Sequence, residues 1–309
     1  MGRRGKSDGP SGFVVINKDP GWTSHDVVAK LRGIFGQRRT GHAGTLDPSA
    51  TGVLIVGLGK ATRLLRFLQA TTKIYDGTFL LGSTTTTLDA DGEVTGTYEM
   101  SNCSVDDVRA RAQELTGELM QTPPMVSAIK VDGRRLHELA REGKEIERAP
   151  RPVSVSRFEV EHRSSLEYRF SISCSTGTYV RSLIDDLGRA LGGGAHVTSL
   201  RRTAVGSFTL EDARTLDEIQ ALDHTDADWW GSSGVLLTPR EGLKSLAEVM
   251  VDAEGESMVA TGRPLERRGV AADDPGPYRV ISAEGDLLGV YEASSPTAMT
   301  ASVVLSGNG

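Results

Sequence analysis

The chain has 309 residues, 38% hydrophobic and 25% charged, enough to bury the cores of one large and one small soluble domain. Its best apolar run, Val53 to Leu58, is far too short to cross a membrane. Cys103 and Cys174 form neither a metal-ligand spacing nor a disulfide framework, so a protein of the reducing cytoplasm is expected. The net charge of −6 hides an asymmetry: residues 209–309 hold 18 acidic and 7 basic side chains, whereas residues 1–208 hold 23 and 28, a basic front part compatible with a phosphate-bearing partner.

Residues 1–11 are basic without an apolar stretch after them and read as a disordered tail, not a signal peptide. GFVVIN at Gly12–Asn17 predicts a short buried strand. Thr23 or Ser24 then caps a helix with Val27, Val28, Leu31, Ile34 and Phe35 on one face, and Gly36 stops it. Val53–Val56 is a strand or a helix start. Lys60–Gln69 reads as a helix with Leu64, Leu65 and Leu68 inward and Arg63 and Arg66 outward. Lys73–Leu81 is a strand carrying Tyr75, followed by the polar loop STTTTLDADGEV. Ser104 caps a helix running to Thr116. A proline-broken link leads to a short helix at Leu136–Ala140, inside a charged segment from Lys130 to Arg151 that reads as a surface insertion. Val153–His162 and Leu166–Cys174 form a hairpin. A helix spans Tyr179–Leu191, strands follow over His196–Thr209, and a short helix covers Asp217–Leu222. The composition turns acidic near Asp223–Gly234, where a domain boundary is expected. Short strands at Met250–Val251, Tyr278–Ile281, Leu287–Tyr291 and Ala301–Leu305 then form a small β-rich unit.

The chemistry centres on Gly41–Gly52, GHAGTLDPSATG, a loop by composition. Asp47 is the only carboxylate between Val27 and Tyr75, and it shares that span with eight Lys/Arg: Lys30, Arg32, Arg38, Arg39, Lys60, Arg63, Arg66 and Lys73. Such a neighbourhood is expected to hold it ionised. An isolated Asp-Pro would be read as a turn. GLGKAT at Gly57–Thr62 is not a phosphate loop, because Leu54 stands at the first glycine position and Ala61 where Ser or Thr is needed. A glycosidase would need a second working carboxylate. Asp76 and Asp185 are available, but strand alternation turns Asp76 away from the side of Tyr75.

Several ordered motifs resemble the TruB family of bacterial tRNA pseudouridine synthases. They are NKDPGWTSHDVV at Asn17–Val28, GHAGTLDPSATGVL at Gly41–Leu54 and KIYDGTFLLGSTTTTLDADGE at Lys73–Glu93. QTPPMVSAIKVDGRRLHELAREG at Gln121–Gly143, CSTGTYVRSLIDDLG at Cys174–Gly188 and SLRRTAVGSF at Ser199–Phe208 complete the set. The resemblance covers roughly residues 12–215. It implies an α+β pseudouridine synthase fold with a mixed, mainly antiparallel central sheet and flanking helices over residues 12–235, and a small PUA-like β-rich domain over 236–309. It further implies isomerisation of uridine in the TΨC loop of tRNA by base flipping. Asp47 would be the nucleophile, Arg181 its bidentate partner, and Tyr75 the platform that stacks on the flipped uracil. His42 would fill the space the base vacates, Tyr179 and Leu200 would line the uracil pocket, and Lys18 would be structural. Without the resemblance, Arg181 reads as a helix-surface residue paired with Asp185, and His42 as a loop residue. His137 stands where a tyrosine is frequent in the family. No metal or cofactor is implied, and the partner is the TΨC stem-loop, met by a monomer without an obligatory protein partner. The competing class is a non-catalytic RNA-binding protein, which would have no need of a carboxylate beside phosphates.

Overall fold

A computed structural model of the protein describes residues 9–127, 130, 131, 133–136, 139, 142, 146–226, 228–267, 269–271 and 273–305. Strand β1 (Gly12–Lys18) is buried on both faces. Helix α1 (Ser24–Ile34) starts in a capping box, in which Thr23 Oγ1 accepts from the Asp26 N–H and the Asp26 carboxylate accepts from the Thr23 N–H. Beyond β2 (Thr40–His42), the segment left open between strand and helix is a strand, β3 (Thr51–Leu58), buried along nearly its whole length. It is apolar without alternation because both its faces are buried, Val53 and Ile55 in one core cluster and Leu54, Val56 and Leu58 in another. The helix expected over Lys60–Gln69 divides into a 3-10 stretch, Gly59–Leu64, and a short α2 (Leu65–Gln69). Leu58 offers no capping side chain, and the tighter winding places Ala61 and Leu64 in the core.

Strand β4 (Lys73–Leu81) is followed by the small hairpin β5 (Ser83–Thr85) and β6 (Val94–Thr97), then α3 (Val105–Glu114) capped by Ser104, and β7 (Gly117–Gln121). A two-residue hairpin, β8 (Lys130–Val131) and β9 (Arg134–Arg135), sits in the charged insertion. Most of the helix expected at 136–140, His137 included, lies outside the described residues. The hairpin β10 (Arg151–Ser164) and β11 (Glu167–Cys174), helix α4 (Val180–Ala190), and strands β12 (Ala195–Val205) and β13 (Phe208–Thr209) complete the large unit. The central sheet runs β1-β3-β12-β4-β11-β10-β7, with β2 on β3 and β13 on β12. Only the β12–β3 pair is parallel; the others are antiparallel. This mixed α+β sheet matches the sequence-based expectation. Register sets Arg202 opposite Tyr75, so β12 and β4 deliver neighbouring side chains to one place.

After a short helix α5 (Leu216–Gln220), a second sheet runs β14-β16-β17-β18-β15, from β14 (Ala247–Met250), β15 (Leu265–Glu266), β16 (Tyr278–Ile281), β17 (Leu287–Ala293) and β18 (Ala298–Val304). The sequence did not reveal its helix α6 (Ala253–Ala260), which contains a glycine and starts on an Asp252 cap. Val290, Val303 and Leu305 of this unit pack in one cluster with Phe13, Leu64, Leu65 and Phe67 of the first. Among the described residues no helix is long and apolar enough to cross a membrane.

Two expectations need correcting. Residues 9–11 are not part of a free tail: the carbonyls of Gly9 and Pro10 accept from Gln37 Nε2, and Ser11 Oγ accepts from the Lys60 N–H. Arg63 and Arg66, counted in the basic front part compatible with a phosphate-bearing partner, are exposed but bond to the second sheet instead. Arg63 Nη1 donates to the Val304 carbonyl at 2.7 Å and Arg66 Nη2 to the Ser302 carbonyl at 2.8 Å, because α2 packs beside β18. The double variant Arg63→Ala/Arg66→Ala should therefore cost about 1 kcal/mol of stability in a denaturant melt, modest because both side chains are exposed. In the tRNA binding that the resemblance implies, it should leave the salt dependence unchanged; a flatter dependence would return these residues to the phosphate-facing surface.

Candidate active site

The loop bearing Asp47 is held from three sides. At the start of α1, Ser24 Oγ accepts from the Leu46 N–H at 2.9 Å. From the end of β1, the buried Lys18 donates its ammonium protons to the carbonyls of Pro48 (3.1 Å), Trp22 (2.7 Å) and Asp19 (3.0 Å). Burial pulls the Lys18 pKa down to about 8, partly offset by Asp19 and Asp47. From β12, Arg202 spreads its guanidinium over the carbonyls of Val53 (2.7 Å), Gly44 (3.1 Å) and Thr45 (3.4 Å). The approach is so close that a Cβ on Gly52, whose φ is +99°, would stand 2.1 Å from the Arg202 carbonyl oxygen. Only glycine fits there.

Arg181 comes from the first turn of α4 and is 3% exposed. That helix has no side-chain cap of its own. Gln121 of β7 anchors its first residue from outside, accepting from the Tyr179 N–H at 2.7 Å and donating to the Tyr179 carbonyl at 3.0 Å. Arg181 Nε meets Asp47 Oδ2 at 2.9 Å, Nη1 lies 3.5 Å from Asp89 Oδ2 and 2.7 Å from the Thr87 carbonyl, and Nη2 donates to the Val126 carbonyl at 3.0 Å. The pairing with Asp47 is therefore single-pronged rather than bidentate, because the other nitrogens are shared among three further acceptors. Asp185, the alternative partner, takes Arg189 instead.

The expected effect of the basic neighbourhood on Asp47 is also corrected. Burial is the largest influence and raises its pKa; Arg181 opposes this, while Asp89 and Asp91 raise it further. The fold brings acids from the Thr-rich loop to Asp47. Of the flanking cations, Arg63 and Arg66 bind β18, and Lys73 is buried with its ammonium on the carbonyls of Gln69 and Thr71. The Asp47 side chain is still 36% exposed, so it reaches the surface of the site.

Asp47, Tyr75, Tyr179, Arg181 and Leu200 line one cavity of about 230 Å³, together with Lys73 and Arg202. A groove of about 700 Å³ opens from Asp47, Arg181 and Leu200 across the sheet, past Asp76, Asp89, Asp91 and Arg201. His42 lines neither space. It sits on β2 with its ring edge against His25, centroids 5.4 Å apart, and burial followed by the His25 charge pushes its pKa down. Lys18 acts from behind the loop rather than in the cavity. Sequence reasoning assigned no role to Asp89 or Gln121, counted Lys73 only among the flanking cations, and held Arg202 only as part of a quoted motif. Asp89 had a signal, a carboxylate in the DADG turn of a quoted motif; Gln121 had none.

A family model described as TruB family pseudouridylate synthase (N terminal domain) matches residues 32–180, and one described as tRNA pseudouridylate synthase B C-terminal domain matches residues 181–248. The tRNA pseudouridine synthase B of Rhodococcus jostii is 44% identical over 299 residues, covering 95% of this chain and 94% of the relative. That of Streptomyces coelicolor is 45% identical, covering 92% and 93%. Among solved structures, a chain of a Cbf5-Nop10-Gar1 complex superposes with a TM-score of 0.71 at 26% identity, covering 95% of this chain and 84% of that one.

Proposed function

Because the chain belongs to the TruB family of pseudouridine synthases, we propose that it converts one uridine of the tRNA TΨC loop to pseudouridine, with Asp47 as nucleophile and no cofactor. The observation that carries this reading is the Asp47–Arg181 pair, 2.9 Å apart, at a cavity whose other walls include Tyr75, Tyr179 and Leu200. The cavity, about 230 Å³, has room for a flipped pyrimidine beside Asp47, the only carboxylate lining it among the described residues.

The reaction needs no redox partner. The C1′–N1 bond breaks, the base turns, C5 bonds to C1′, and a proton is lost from C5 while N1 gains one. A carboxylate serves this chemistry by attacking C1′, by attacking C6, or by supporting a glycal route. Arg181 aims it and counters the effect of burial. Stacking of the base on Tyr75 contributes about 1–3 kcal/mol, offsetting much of the few kcal/mol that flipping costs. Tyr179 and Leu200 shape the pocket walls, Lys18 braces the loop, and His42 reaches the RNA beside the vacated position.

The exposed Arg32, Arg38, Arg39 and Lys60 are the phosphate-facing candidates. Affinity for tRNA should fall linearly on a log–log plot against salt, and Arg38→Ala/Arg39→Ala should lower that slope by about 2. A flat response in the wild type would remove this face from the account. The protein is read as a cytoplasmic monomer that needs no protein partner. The direct test is tritium release from tRNA transcript carrying [5-³H]uridine, with chelator present and no added cofactor. Release of one tritium per tRNA supports the reading, and no release overturns it.

A further inference from the structure

We propose that Lys73 and Arg202 stabilise the negative charge that uracil carries while it is detached from the ribose, an inference that rests on the pseudouridine synthase reading above. Both line the cavity with Asp47 and Tyr75. They are 4% and 1% exposed. Among the described residues neither forms a salt bridge, whereas both nearby carboxylates, Asp47 and Asp89, ion-pair with Arg181.

The bonds that hold these cations go to backbone carbonyls. Lys73 Nζ donates to the carbonyls of Gln69 and Thr71, and Arg202 to those of Val53, Gly44 and Thr45. An ammonium has three protons, two of which the carbonyls of Gln69 and Thr71 take up, and Lys73 lines the cavity. Lys73 and Tyr75 share one face of β4, and Arg202 is the cross-strand partner of Tyr75, so the two cations flank the tyrosine. A buried cation without a carboxylate is costly, and two near each other cost more. The carbonyl contacts explain how they are held, not why they are charged, since a neutral amide would satisfy an acceptor as well.

The reaction supplies the missing anion. When the C1′–N1 bond breaks, its electron pair leaves with N1, and the uracil becomes an anion delocalised over N1, O2 and O4. Once C5 has bonded to C1′, the C5 proton is lost and N1 is protonated, so the charge exists only between cleavage and product. Cations preset around that position favour the transient state without reorganising. Lys73 remains mostly protonated at neutral pH, its pKa brought down to about 8 by burial and the Arg202 charge.

The test compares Lys73→Gln with wild type in single-turnover cleavage of tRNA carrying uridine or 5-fluorouridine, whose fluorine makes the departing base a weaker base. Lys73→Gln should cleave the uridine substrate about 10- to 100-fold slower, with tRNA affinity within about twofold, and its deficit should be several-fold smaller on 5-fluorouridine. Lys73→Arg, which keeps the charge, should recover most of the rate. Equal deficits on both substrates, or no deficit, overturn the proposal; if Lys73→Gln does not fold, Arg202→Gln is judged by the same ratio. A wild type that cleaves neither substrate would instead overturn the function on which the inference rests.

Discussion

Asp47→Asn is expected to slow uridine isomerisation by at least about 10⁴-fold, roughly 5.5 kcal/mol of barrier, while tRNA affinity stays within about twofold. In the proposed reaction the carboxylate meets the sugar or the base only after the nucleotide is bound, and the exposed cations proposed to face the phosphates are elsewhere. The same variant should melt no lower than the wild type at neutral pH. Burial raises the folded-state pKa of Asp47 above its ordinary value of 3.8. The folded state therefore binds that proton more tightly than the unfolded state, and this group's contribution to stability falls as pH rises from about 4 through its folded pKa. Asparagine carries no such dependence, so any gain in melting temperature should be present at pH 7 and vanish in acid. A variant that melts lower than wild type at pH 7 would mean that the ion pair with Arg181 outweighs the cost of burial.

Arg181→Gln is expected to lower the single-turnover rate by about 10²- to 10³-fold and to shift the acid limb of the pH–rate profile upward. Arg181 is the influence that lowers the Asp47 pKa against burial and against Asp89. Without it the carboxylate is ionised only at higher pH, so the loss should be largest in acid and partly recovered in base. Arg181→Lys should recover little, because a point charge with three donors cannot reach Asp47, Asp89 and the carbonyls of Thr87 and Val126 together. Asp89→Asn carries the opposite sign: it removes a charge that raises the Asp47 pKa, and the acid limb should move to lower pH. Limbs that stay in place in both variants would separate the titration of Asp47 from the observed rate.

The sequence already displayed the parts of the site that sit in local patterns. The glycine loop around Asp47 is unlike any element interior, Tyr75 lies on an alternating strand, and Arg181 follows a Ser-Thr-Gly turn into a helix. What it could not display was the sharing of Arg181. Asp89 lies in a polar loop more than forty residues from Asp47, and only the contact of that loop with α4 makes the two acids compete for one guanidinium. Arg202 lies in a quoted motif, Ser199–Phe208, but nothing there marked it for a role, since burial of a charge on backbone carbonyls leaves no trace in composition. The same limit explains Arg63 and Arg66, whose partners are carbonyls of β18 some 240 positions away. Fold class was legible through the family resemblance, helped by the alternation of β11 and the continuous apolar run of β1. Helix α6 was not, because the two turns of AEGESMVA have no apolar stripe to reveal it.

The most direct measurement is a position-resolved map of pseudouridine in an unmodified tRNA transcript after incubation with wild type or with Asp47→Ala. The account predicts modification of the single TΨC-loop uridine by the wild type and none by the variant, with both proteins binding the transcript. Binding without modification by the wild type would contradict it, leaving an RNA-binding protein in which Asp47 is a turn residue.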